Sequence, residues 1–211
     1  MTRRTLRLTA VAAVAALGLT LAGCQNYQGT AAYVGDSRIT TRDVEKQVDE
    51  FYAMPFWAKQ AKDARAAVNN AAIRLLILDQ LSEQLVRDRK VTVPEATLQE
   101  IEASFKKQPE QIPSLVQGVS PELSAEVYMR LSVLAGKPAH SLDKQAARAL
   151  LEGLEDVARR HPVKVNPRYG AFKVDAKSLQ LGVLPRKDAG VQELEESPQP
   201  VEEPQPDQQP N

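Results

Sequence analysis

Cysteine is nearly absent from this chain: Cys24 is the only one. No intramolecular disulfide can form, so the body of the protein must be held by a packed core. Aromatic residues are scarce, ten in all, which makes any local concentration of them informative. An excess of positive charge is missing too, with 27 basic residues against 27 acidic ones. That balance leaves no basic footprint of the kind nucleic acid requires, so no nucleic-acid partner is expected. Also missing are a Gly-x-Ser-x-Gly elbow, a glycine-rich phosphate loop and a His-Glu-x-x-His zinc motif. The expectation is therefore no catalytic residues, no metal and no cofactor. The two histidines, His140 and His161, each fall beside an expected helix boundary, where capping or solvent contact is the usual role. Asp43, Glu45, Asp49 and Glu50 alternate with Arg42 and Lys46, the pattern of a solvated helix face.

One long apolar run is present, and it stands at the start. Arg3, Arg4 and Arg7 precede Leu8 to Leu21, which is almost entirely Ala, Val and Leu. The run has about the 7–15 residue length of a secretory signal and falls short of the roughly 20 residues of a membrane span. It closes on Leu21-Ala22-Gly23-Cys24, which resembles the bacterial lipobox. The resemblance implies cleavage of residues 1–23 and a diacylglyceryl group on Cys24, holding the protein to the extracytoplasmic face of a membrane. Two acyl chains on one residue suffice for stable anchoring. Without Arg3, Arg4 and Arg7 the remainder is mildly acidic, 24 basic against 27 acidic.

Residues 24–30 read as a polar tether. Ala31 to Val34 and Arg38-Ile39 form a short hairpin around Gly35-Asp36-Ser37. Thr40 starts a helix with Asp43 three residues on, a loose capping box, and Met54-Pro55 ends it. A long helix is expected from about Ala61 to Lys90, striped by Ala71, Leu75, Leu78, Leu81 and Leu85. Val91-Thr92-Val93 reads as an extended break, and Pro94 as the first position of a further helix. Ser120-Pro121-Glu122 marks a helix start, with Gly136 and Pro138 at its end. Ser141 is expected to cap a last helix stopped by His161-Pro162. Val163-Lys164-Val165 alternates like a strand, and Tyr169 to Val174 would extend the small sheet. Residues 188–211 are dominated by Glu, Gln, Pro and Asp, the composition of a solvated tail.

Four of the ten aromatics lie within seven residues: Phe51, Tyr52, Phe56 and Trp57, with Met54 and Pro55 between them. Met and aromatic side chains give adaptable apolar contact. The cluster either completes the core at the end of the long helix or, if exposed, marks a binding patch.

The stretch Ala32-Tyr33-Val34-Gly35-Asp36-Ser37-Arg38-Ile39-Thr40-Thr41-Arg42-Asp43 resembles the opening strand and helix of the SurA N-terminal domain family, shared with PrsA-type foldases. Ala71 to Val93 resembles the family's Leu-rich helix with its basic end and Val-x-Val step. Val163 to Gly170, Val-Lys-Val-Asn-Pro-Arg-Tyr-Gly, looks like the ending of actinobacterial lipoproteins of this type. The resemblance covers roughly residues 31–173 and implies a mainly α domain over 31–175, with a small β-sheet pairing its N-terminal and C-terminal strands. It also implies a chaperone-like lipoprotein that holds unfolded or exported polypeptides, with Phe51, Tyr52, Met54, Phe56 and Trp57 as client-binding residues. No parvulin domain is visible, so prolyl isomerase activity is not expected. An envelope scaffold that binds one defined protein partner is the alternative.

Overall fold

The chain first turns back on itself at Gly35, whose φ of +57° suits a residue without a Cβ. In the computed structural model, which describes residues 28–184, this turn joins β1 (Thr30–Val34) to β2 (Ser37–Thr40). A third strand, β3 (Val163–Val165), pairs antiparallel with the other edge of β1, giving the order β2-β1-β3. Ala32 faces Ile39 and Val165, and Tyr33 faces Arg38 and Lys164. Directly opposed residues share a face of the sheet. Ala32 and Ile39 accordingly turn into the core, while the Arg38, Tyr33 and Lys164 row lies on the outer side, with Arg38 and Lys164 exposed.

Thr40 and Asp43 form a full capping box at the start of α1 (Thr41–Ala53). Met54 follows in an extended conformation, as the residue before a proline prefers. Pro55 then opens the short helix α2 (Pro55–Gln60). The 25-residue helix α3 (Arg65–Arg89) is the centre of the protein, with Ile73, Leu75, Ile77, Leu78 and Leu81 fully buried. Around it pack α1, α5 (Pro121–Ala135) and α6 (Lys144–Arg160), while α4 (Glu95–Lys107) packs on α5. Phe105 of α4 and Tyr128 of α5 meet edge to face at 5.9 Å. The chain ends, as described, in a separate hairpin of β4 (Ala171–Asp175) and β5 (Gln180–Leu184).

The protein is thus mainly helical with small antiparallel sheets, and β1 does pair with β3. Several sequence expectations need correction. The long helix begins at Arg65, not near Ala61, because α2 ends at Gln60 and residues 61–64 form a non-helical turn. Pro94 sits at the N-cap rather than at the first position of α4. Asp143, not Ser141, caps α6: its carboxylate accepts from the Ala146 N–H at 2.8 Å. The Ser141 hydroxyl is already engaged with the Pro138 carbonyl at 2.9 Å. The segment around Tyr169 does not extend the first sheet, since β4 takes β5 as its partner. The signal at 1–23, the lipidation residue Cys24 and the tail 188–211 lie outside the described residues.

Candidate functional site

The aromatic cluster is built by the break between α1 and α3. Phe51 leaves the last turn of α1 pointing inward and stacks on Trp57 of α2, with centroids 5.5 Å apart and planes 19° apart. Both are buried, at 4% and 8% exposure. Phe56 meets Trp57 edge-on at 4.7 Å, and Tyr52 meets Phe51 the same way at 5.4 Å. The Tyr52 hydroxyl donates to the Ala61 carbonyl at 2.9 Å, which ties the end of α2 back to α1. The Arg65 guanidinium lies 6.0 Å from the Tyr52 ring centre and 3.8 Å from the Asp49 carboxylate. The cluster is therefore a packed corner and not an exposed patch, with Tyr52, Met54 and Phe56 half-buried on its outer side.

Next to this corner runs a groove of about 320 Å³. Phe51 and Trp57 wall one end, and Ala61 and Ala64 before α3 with Val68 and Ala71 on it form the floor. The opposite side is the loop around Ser114, Gln117 and Gly118. Gly118 has φ +104°, and a Cβ there would lie 2.6 Å from the Cβ of Ala71. Glycine is thus required both by the backbone and by the contact that closes the groove. Inward of it, Val116 is fully buried and the Ser124 hydroxyl donates to the Val116 carbonyl at 2.8 Å, fixing the loop to α5. The Gln47 side-chain oxygen accepts from the buried Ser120 N–H at 3.2 Å, joining the same loop to α1.

No residue lining the groove carries a titratable side chain. Its chemistry is apolar contact plus the amide groups of Gln60 and Gln117 and the hydroxyl of Ser114. Of the five residues singled out in the sequence, Phe51 and Trp57 line the groove, whereas Tyr52, Met54 and Phe56 support it from outside. The alanines and Gly118 went unrecognised as groove residues. The available signal is a change of size along one stripe of α3, from Ala64, Val68 and Ala71 to Leu75, Leu78 and Leu85.

The two histidines lie elsewhere. His140 Nδ1 is 2.8 Å from the Tyr128 hydroxyl, and His161 follows the last turn of α6 beside Gly35. Among the described residues, no group of three or more His, Cys, Asp or Glu side chains is placed to hold a metal ion, and no helix is long and apolar enough to cross a membrane. No protein-family model, curated protein or solved structure matches the chain.

Proposed function

We propose that the protein is a membrane-anchored, extracytoplasmic chaperone-like lipoprotein of the SurA N-terminal type, which binds apolar segments of unfolded or exported polypeptides without catalysis. The anchor is the lipid on Cys24. The carrying observation is the uncharged groove of about 320 Å³ between Phe51, Trp57 and the small-residue face of α3. It is large enough for one or two apolar side chains of a client. Burying one such side chain gains about 1.5–3 kcal/mol, which makes each contact weak and quickly reversible. Weak, shape-tolerant contact suits a holding function, and a groove lining with no titratable side chain suits binding without chemistry. The pairing of β1 with β3 at the two ends of the helical body supports the fold-family reading.

The test is suppression of aggregation of an unfolded substrate by the chain from Gln25 onward, which contains every residue of the described core. Ala67 is exposed at the groove, so Ala67→Phe fills it with little cost to folding. The expected result is suppression by the unaltered chain and its loss in Ala67→Phe. Equal suppression by both proteins, or none by either at several-fold excess, overturns the reading. Capture of one stoichiometric envelope partner would favour the scaffold instead.

A further inference from the structure

The groove is not the only surface with a distinct chemistry. At the end of the domain where the described chain begins, four cations are exposed: Arg38 on β2, Arg42 on α1, Lys164 on β3 and Arg168 just after it. None of them makes an ion pair within 4.0 Å among the described residues, whereas Arg65 and Arg87 on α3 and Arg159 and Arg160 on α6 do. Arg38 and Lys164 flank Tyr33 in one row across the sheet. Arg168 donates to the Thr41 hydroxyl at 3.0 Å, which brings it to the first turn of α1 beside Arg42. Its guanidinium also covers the Tyr169 ring, 4.5 Å from the centroid. The nearest carboxylates in sequence are Asp36, Asp43 and Glu45. Asp43 is occupied by the Thr40 N–H and hydroxyl at 2.8 and 2.7 Å. Four positive charges against these three leave the surface net positive, with two tyrosines set among the cations.

The position of this surface along the chain identifies what it meets. Arg38 donates to the Gln28 carbonyl at 3.2 Å, so the chain enters the domain on the cationic face itself. Cys24 is four residues earlier, a span of at most about 14 Å of extended backbone. If Cys24 carries lipid, this face cannot stand far from the headgroups. We propose that the Arg38, Arg42, Lys164 and Arg168 face docks on anionic phospholipid headgroups and fixes the orientation of the domain on the membrane. Tyrosines suit such a boundary, since the ring is apolar and the hydroxyl wet. The proposal rests on the lipid-anchor reading for its geometry, but its chemistry can be tested without the lipid.

The chain from Gln25 to Asn211 is mixed with phosphatidylcholine vesicles with and without phosphatidylglycerol, and bound protein is measured by sedimentation. Binding only to the anionic vesicles, falling as salt is raised, is expected. Arg42→Gln with Lys164→Gln removes two cations that make no side-chain hydrogen bond among the described residues. At about fivefold per cation near a charged surface, partition should fall about twenty-five-fold, with far-ultraviolet circular dichroism and Trp57 emission unchanged. Lys144→Gln with Arg148→Gln removes the same charge from the far end of α6 and should leave partition nearly unaltered. An equal loss in both pairs would reduce the effect to net charge and overturn the proposal. No preference for anionic vesicles would overturn it too. The mass of the native protein separates the two readings. A bare Cys24 sinks the anchor and leaves the vesicle result standing, while an acylated Cys24 without vesicle preference sinks this proposal alone.

Discussion

Gly118 and Ala71 lie in such close contact that a methyl group on Gly118 would come within 2.6 Å of the Ala71 Cβ. That contact sets the distance between α3 and the loop that forms the far wall of the groove. Gly118→Ala should therefore destabilise by about 2 kcal/mol or more, from the forced contact together with the left-handed backbone at φ +104°. Adding Ala71→Gly should recover the steric part and leave the backbone part. Urea unfolding of the single and double variants measures both, and full recovery in the double variant would contradict the backbone contribution.

Trp57, the only tryptophan, reports on the groove directly. At 8% exposure and stacked on Phe51, it should emit at short wavelength and resist quenching by iodide. An apolar peptide entering the groove should change that emission, and the change should vanish in Ala67→Phe. Strong iodide quenching of the folded protein would show that the corner is open.

Tyr52 fastens the end of α2 to α1. Tyr52→Phe deletes its bond to the Ala61 carbonyl and keeps the ring, so the cost should be about 0.5–1.5 kcal/mol. The half-buried bond has no substitute on α2, and the loss should also show as faster amide exchange across residues 55–64.

The Arg130–Asp79 pair between α5 and α3 should make stability depend on pH. Its side chains are only 18% and 15% exposed. Burial pushes the Asp79 carboxyl above its ordinary 3.8 even with Arg130 beside it, and nearby Glu83 adds to the rise. Glu126, 3.3 Å from Arg130, is raised by burial as well. A carboxyl raised in the fold contributes most when protonated. Its contribution is complete below the unfolded value and is lost as pH rises through the folded one. Arg130→Met removes the compensating cation and should cost about 2–3 kcal/mol at neutral pH. The penalty should shrink as pH falls toward 3.8, the ordinary carboxylate value. Asp79→Asn in the same background should abolish most of that slope, with Glu126 supplying the remainder. Denaturation midpoints across pH check the sign.

What could be read in advance was what local chemistry decides. Thr40 with Asp43 and Ser120 with Pro121 are self-contained helix starts, and both stand where expected. The alternation of Val163 and Val165 gave a strand, and its pairing to Tyr33 followed from the resemblance. The break between α2 and α3 was hidden because no glycine or proline lies between Ala61 and Ala64. A tertiary bond from Tyr52 of α1 to the Ala61 carbonyl marks the end of α2 there instead. The second hairpin was hidden for a similar reason. Its turn places Leu179, not glycine, at φ +54°, and the Asp175 carboxylate takes the place of a glycine signal by accepting the Lys177 and Ser178 N–H groups at 2.9 and 3.2 Å. The groove escaped notice because apolar periodicity counts Ala71 and Leu75 alike, although the difference in their volumes is what leaves the space.

The central strand has its two neighbours at opposite extremes of the fold. Ser37 to Thr40 are at hand at once, but Val163 to Val165 arrive about 130 residues later, and the Asn166 side chain closes the seam by donating to the Thr30 carbonyl at 2.9 Å. A chain emerging from its amino end keeps one edge of that ribbon bare until almost all of the helices have followed. Completion is therefore a late, nonlocal event whose loop-closure entropy slows it. A polypeptide stopped before Val163 would present an unmatched row of backbone amides and carbonyls, making premature termination a route to sticky, unfinished molecules.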